Sequence, residues 1–388
     1  MKKRYILRKM ILLIMLLMLP LETDAEEAYD TENILSGYSE VYGDEIAKGL
    51  SLAENIPEFE PSAILDELNS GKFSFEPKEA IRYLLKIFFG AITDNAKLLA
   101  IVLALSVLCS YLSGLKDGFG SEGISTSAFY ACYIIISGIC AAAFYDASLQ
   151  VAQTVSSIAI FMRVIVPIII TALITSGAVV SAASLEPTLL AMVEVAVWLI
   201  EMFFIPAVMI TAALNIVGGM SDKFKTDRMA KLLGSAVRWG LSIVLTVFVS
   251  FAGIKSIMSA GVDGLTLKIS KFAASNLVPV VGGILAESVE TVMNCSIVIK
   301  NSVGILGIIC IVLIAVYPVV QIAGVLMLFR ITAALTEPIS DNKVVLCISR
   351  LADSISVLFS MLVTVTVMFV IVLTIMINAG NSAVYLGR

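Results

Sequence analysis

The chain of 388 residues contains no histidine and few charged residues. Without histidine it cannot build a Ser-His-Asp triad, Cys-His catalysis, an H-E-x-x-H metal site or a histidine proton relay. The P-loop motif of ATP-binding proteins is also absent. Only 15% of the residues are charged and 59% are hydrophobic, whereas soluble domains are about 25% charged. These absences predict an integral membrane protein that is not an enzyme.

Other binding chemistries have little support. A net charge of −5 provides no basic patch for nucleic acid. The six cysteines never form C-x-x-C, so we predict buried free thiols rather than a disulfide framework, a metal site or a cofactor site. The GFGSEG stretch at 118–123 matches G-x-G-x-x-G, but no strand precedes it. It is therefore interpreted as a turn.

The amino terminus has the features of an export signal. Five basic residues precede an apolar run at 10–19, and a small-residue cleavage site follows near Ala25. Residues 1–25 are predicted to be a signal peptide or an uncleaved signal anchor. The following segment, 26–96, holds 15 acidic and 5 basic residues, and we expect it to be extracytoplasmic and helical.

Residues 97–388 are predicted to form a multi-span transmembrane domain. A membrane-spanning helix needs about 20 mainly apolar residues, and lipid satisfies no backbone hydrogen bonds, so the predicted class is all-α and polytopic. About seven spans are predicted, at 97–115, 125–145, 150–176, 187–217, 238–258, 302–327 and 355–378.

Two rules conflict over the orientation of these spans. The positive-inside rule predicts that the connection at 330–350 and one basic loop are cytoplasmic; the loop carries Lys223, Lys225, Arg228, Lys231 and Arg238. Four predicted spans after an exported amino terminus would instead leave this loop outside. The weakest candidates are 150–176 and 187–217, either of which could be re-entrant or interfacial.

Three charged residues lie inside predicted spans. Glu194 and Glu201 are seven residues apart and therefore share a helix face, and Arg163 lies in the preceding span. Ionised groups are costly in hydrocarbon, so they are usually paired or line a wet cavity. We expect Arg163 to pair with Glu194 or Glu201, either to fix helix packing or an interface, or to form a substrate or proton path.

A polar interruption, KFAASNLVPVVGGILAESVETV, separates two later spans. Apolar residues recur at helical spacing on both sides of Pro279 and the Gly282-Gly283 pair. Glu287 and Glu290 lie on the polar side of the second arm. The region 262–300 is thus predicted to be an amphipathic helix-break-helix, either a surface hairpin or a re-entrant, pore-lining element.

Four stretches resemble the stage III sporulation protein AE family of endospore-forming Firmicutes. They are SDKFKTDRMAKLL, AGVDGLTLKISKFAASNLVPVVGGILAESVETVMNCS, KNSVGILG and ITAALTEPISD. The most distinctive part is PVVGG followed by the acidic residues Glu287 and Glu290. The chain departs from the family pattern at Glu337, which stands where a small or polar residue is expected before Pro338.

The resemblance implies a non-enzymatic channel or export-gate subunit in the mother-cell membrane around the forespore. Implied partners are an ATPase, a platform-like protein, small membrane proteins and ring-forming proteins of a secretion-like complex that supports forespore development. The alternative from the residues alone is a small-molecule permease that uses Arg163, Glu194 and Glu201 as its polar core.

Overall fold

The described part of the chain consists of helices, some of them joined by short turns. The computed structural model describes residues 77–94, 96–114, 122–220, 226–277 and 282–387. The helices are α1 (Pro77–Asp94), α2 (Ala96–Gly114), α3 (Glu122–Thr175), α4 (Val179–Leu199), a π-helical turn (Ile200–Phe204), α5 (Ile205–Met220), α6 (Asp227–Leu277), α7 (Gly282–Thr336) and α8 (Asn342–Gly387). The all-α, polytopic class is confirmed. The signal region and most of the acidic segment lie outside the described residues.

Six helical segments of the described ranges are long and apolar enough to span a membrane, not seven. The candidates at 125–145 and 150–176 are one continuous segment, Ser127–Thr175. Asp146 and Gln150 lower the hydropathy between them, but such residues interrupt an apolar pattern without breaking a helix. The first segment, Leu85–Tyr111, also starts earlier than the predicted 97 and combines α1 with α2.

The smaller number of spans removes the conflict over orientation. Three segments, rather than four, now precede the basic loop. Starting from the predicted exported amino terminus, three crossings would place this loop on the cytoplasmic side, where its positive charge also favours it. Both rules then predict the same orientation.

The turn between α3 and α4 is a Schellman motif. Gly177 has a φ of 84°, a left-handed conformation that favours glycine. The Ala178 N–H donates to the Leu173 carbonyl oxygen at 3.1 Å, and the Gly177 N–H donates to that of Ile174 at 3.0 Å. This turn ends α3 and reverses the chain within a few residues.

The long helices run alternately up and down. We call the end with the α5–α6 and α7–α8 junctions the basic end, and the end with the α3–α4 and α6–α7 junctions the far end. Helix α8 packs against α3, α5, α6 and α7. Many of its residues are fully buried, and six of them that recur at helical spacing are Leu351, Ile355, Leu358, Leu362, Phe369 and Leu373. The centre of the bundle is therefore filled by apolar side chains.

Candidate functional site

The ion pair that the sequence suggested lies between α3 and α4. The Arg163 guanidinium donates to both carboxylate oxygens of Glu194, through Nε to Oε1 and through Nη2 to Oε2, the latter at 2.9 Å. Such a two-pronged contact holds both side chains in a fixed orientation. The pair is nevertheless half exposed, with 48% of the Arg163 side chain and 52% of the Glu194 side chain accessible. It lies on the outer surface of the bundle rather than in its interior.

The other predicted partner, Glu201, lies near the pair without joining it. Glu201 is exposed, and the Arg163 guanidinium makes both of its hydrogen bonds to Glu194 instead. The sequence left the choice between the two carboxylates open. The packing of α3 against α4 places Glu194, not Glu201, opposite the guanidinium.

Glu201 belongs to the π-helical turn that joins α4 to α5. The Ile205 N–H donates to the Ile200 carbonyl oxygen, five residues back. Pro206 follows directly; it has no N–H to donate, and its ring crowds the preceding turn. The wider turn accommodates this proline without ending the helix, and such π turns occur frequently at functional sites. Pro167 and Pro318, by contrast, lie inside α3 and α7.

Large apolar side chains surround the acidic groups. Val195, Trp198, Met202 and Phe203 are each more than half exposed. The Trp198 and Phe203 rings meet edge to face with their centroids 5.2 Å apart. We call the surface formed by Arg163, Glu194, Val195, Trp198, Glu201, Met202 and Phe203 the acidic face.

A buried carboxylate at the far end was not singled out from the sequence. Asp263 is only 1% exposed. It accepts hydrogen bonds from the backbone N–H groups of Val180 and Ser181, both at 2.8 Å. Ala178, at the start of α4, offers no capping side chain, so a residue of α6 satisfies the free N–H groups of α4. Asp263 therefore joins α6 to the α3–α4 turn.

A buried lysine joins two other helices at the same end. Lys300 is fully buried, and its Nζ donates to the carbonyl oxygen of Ile377 at 2.6 Å. This contact connects α7 to α8. Lys300 stands in the KNS stretch before an apolar run, and nothing local in the sequence distinguishes it from a solvated flanking lysine.

Ion pairs also connect helices at the basic end. Arg350 of α8 makes a two-pronged contact with Asp227 of α6, with distances of 2.8 and 2.9 Å. Tyr133 of α3 donates to the Ile216 carbonyl oxygen at 2.9 Å. A Cβ on Gly219 would lie 2.1 Å from the Tyr133 oxygen, so only glycine permits this approach.

Two further groups of residues singled out in the sequence, the basic loop and the helix-break-helix, lie partly in the helices and partly outside the described residues. Arg228, Lys231 and Arg238 are exposed on α6, while Lys223 and Lys225 lie outside the described residues. The predicted helix-break-helix, 262–300, includes the end of α6, the α6–α7 junction and the start of α7. Pro279 lies in the undescribed stretch 278–281, and Gly282 and Gly283 begin α7, whose backbone also contains Glu287 and Glu290.

The six cysteines are free thiols. Cys109, Cys132, Cys140, Cys310 and Cys347 are buried, and Cys295 is partly buried. Buried cysteines of this kind behave as small apolar side chains.

The six long apolar segments of the described ranges, together with their tightly packed interior, define a multi-pass α-helical membrane protein. The profile described as Stage III sporulation protein AE matches residues 59–380. The chain is also 28% identical over 326 residues to the Stage III sporulation protein AE of Bacillus subtilis (strain 168), covering 84% of this chain and 82% of that protein. No solved structure matches it. The chain belongs to the stage III sporulation protein AE family, as the resemblance predicted.

Proposed function

We propose that the chain is a non-enzymatic membrane subunit of the channel complex between mother cell and forespore. The observation that carries this proposal is the family match across 59–380. The implied location is the mother-cell membrane around the forespore, and the implied partners are an ATPase, a platform-like protein, small membrane proteins and ring-forming proteins.

The packing supports a channel formed between subunits rather than through one chain. Helix α8 runs through the middle of the bundle, and apolar side chains fill the space around it. Hydrated solutes need a path lined by polar groups, which an apolar core does not provide. A subunit of this kind would contribute a wall or a gate to an assembly.

The permease alternative loses its main support. It required Arg163, Glu194 and Glu201 to form a polar core inside the bundle. These side chains lie instead on the outer surface, half exposed or exposed. A carrier site for a small molecule would normally be concave and enclosed between helices.

Reconstitution separates the two functions. The purified chain in proteoliposomes is expected to take up no small solute by itself, whereas cells that lack the chain are expected to form no spores. Spore formation at the normal frequency in such cells would rule out the proposed function. Solute uptake by the chain alone would favour the permease.

The orientation can be tested with two single cysteines. Met229, at the basic end, is 63% exposed and Ile269, at the far end, is 68% exposed. When the variants are expressed in vegetative cells, we expect a membrane-impermeant maleimide to label Ile269→Cys in intact cells, and to label Met229→Cys only after permeabilisation. The unaltered chain is the control, because most of its own cysteines are buried. The reverse pattern would contradict a cytoplasmic basic loop.

The α6–α7 junction provides a test of the helix break. The double substitution Pro279→Ala with Gly282→Leu favours a continuous helix across the junction. We expect it to block spore formation while the protein stays in the membrane, as measured by spore counts and immunoblots of membrane fractions. Gly261→Leu on α6 is the matched control, because a Cβ there meets no atom within 4 Å. Normal sporulation of the double variant would refute a working role for the break.

A further inference from the structure

The acidic face lies at the middle of a membrane-spanning segment. Glu201 is 22 residues from Val179 and 19 residues from Met220, the two ends of its segment. At 1.5 Å per residue it is roughly 30 Å from either end along the helix. The hydrocarbon core is only about 30 Å thick. A bilayer centred on this segment therefore surrounds Glu201 with lipid tails, unless protein covers it.

The exposed groups form one stripe along α4 and the π-helical turn. Glu194, Trp198 and Glu201 recur at spacings of four and three residues, with Val195 and Met202 beside them. Residues at these spacings share one side of a helix. The charged and the aromatic groups thus belong to one continuous surface.

This surface has an unbalanced negative charge. The Arg163 cation and the Glu194 carboxylate offset each other in their two-pronged contact. Glu201 is exposed and has no hydrogen bond or salt bridge among the described residues. One further cation would neutralise the face. Ionisable groups inside the membrane pair with one another or face a protein interior, so an exposed carboxylate here indicates a covered surface.

The apolar groups around Glu201 suit contact with protein. Trp198, Met202 and Phe203 are exposed, and tryptophan, methionine and phenylalanine are enriched in protein–protein contacts. Lipid tails would not pair with a carboxylate at this depth. A partner helix that carries a basic residue would supply both the apolar contact and the cation.

The geometry points to the acidic face as the docking site for a transmembrane helix of another membrane protein, one that carries a lysine or arginine opposite Glu201. This inference rests on the proposed role as a subunit of a membrane complex. A two-fold contact with a second copy is disfavoured, because it would bring the same acidic face to both sides and place like charges together.

Site-specific photocrosslinking tests the proposal directly. A photoreactive phenylalanine analogue at Met202, with Glu201 unchanged, is expected to crosslink in sporulating cells to a different membrane protein. Mass spectrometry should place the crosslink within about one helical turn of a lysine or arginine in an apolar segment. The same analogue at Phe251, which is exposed on α6, is the control and should yield no such product. Crosslinks only to lipid, only to a second copy, or to a segment without a basic residue would each overturn the proposal.

Charge substitutions at Glu201 provide a second readout. Relative to the unaltered residue, Glu201→Lys should lower the yield of the Met202 crosslink by at least about tenfold, because two cations would face each other. Glu201→Asp keeps the carboxylate and should retain most of the yield, and Glu201→Gln should fall between them. Equal yields for all three, at equal membrane abundance, would contradict the charge pairing. If the chain with unaltered Glu201 gives no Met202 crosslink in cells that require the chain for spores, the docking site is rejected and the proposed function stays intact.

Discussion

Asp263→Leu is expected to destabilise the bundle strongly. The substitution removes two hydrogen bonds to a buried carboxylate and leaves the N–H groups of Val180 and Ser181 without these acceptors. The two losses together should lower the free energy of unfolding by roughly 3 kcal/mol or more. For a domain of this size, such a loss lowers the melting temperature by roughly 5 °C or more. Thermal unfolding of the detergent-solubilised protein measures the effect.

Asp353→Asn is the matched control for Asp263. Asp353 also accepts a hydrogen bond from another helix, at 2.7 Å from Arg330 Nη2, but its side chain is 56% exposed. Exposed pairs of this kind contribute about 0–1 kcal/mol. The melting temperature of Asp353→Asn should therefore stay within about 2 °C of that of the unaltered chain. Similar small shifts in melting temperature for both variants would show that Asp263, which caps α4 from α6, does not stabilise the bundle.

Lys300→Glu is expected to have an effect at least as large. A glutamate at this fully buried position would face the Ile377 carbonyl oxygen, which now accepts a hydrogen bond from Lys300. An uncompensated buried charge costs about 3–5 kcal/mol. We expect little folded protein in detergent extracts, as measured by size-exclusion chromatography of a fluorescently tagged chain.

Two variants make the Lys300 result interpretable. Lys300→Met keeps an apolar stem of similar length and should recover much more folded protein than the glutamate does. Lys231→Glu reverses a charge at an exposed position of α6 and should change the yield little. A normal yield of Lys300→Glu would contradict the buried contact between α7 and α8.

The helical class and most of the spans follow from the sequence because hydropathy is a local property. Runs of apolar residues identify the helices wherever lipid or a packed core excludes water. The same approach divided α3 at Asp146 and Gln150, because a short polar interval between apolar runs resembles a loop. Helix continuity depends on backbone hydrogen bonds that continue through such an interval, and hydropathy does not measure them.

The candidate site was predictable only in part. The sequence identified Arg163 and its two possible partners because charges stand out in an apolar run. The choice of Glu194 depends on how α3 and α4 pack, and the outward direction of the pair depends on where α6 and α8 lie. The burial of Asp263 and Lys300 could not be predicted from the sequence for a related reason. Each is buried by helices distant in sequence, although each stands in a locally polar stretch.

The length of α3 has a consequence for the shape of the molecule in its membrane. Its 54 residues correspond to about 81 Å of helix. Transmembrane helices tilt by up to about 40°, and at that tilt the helix still rises roughly 62 Å along the bilayer normal. A bilayer with its headgroups is only about 45 Å thick. At least one end of this helix therefore stands clear of the lipid, within reach of proteins that never enter the membrane.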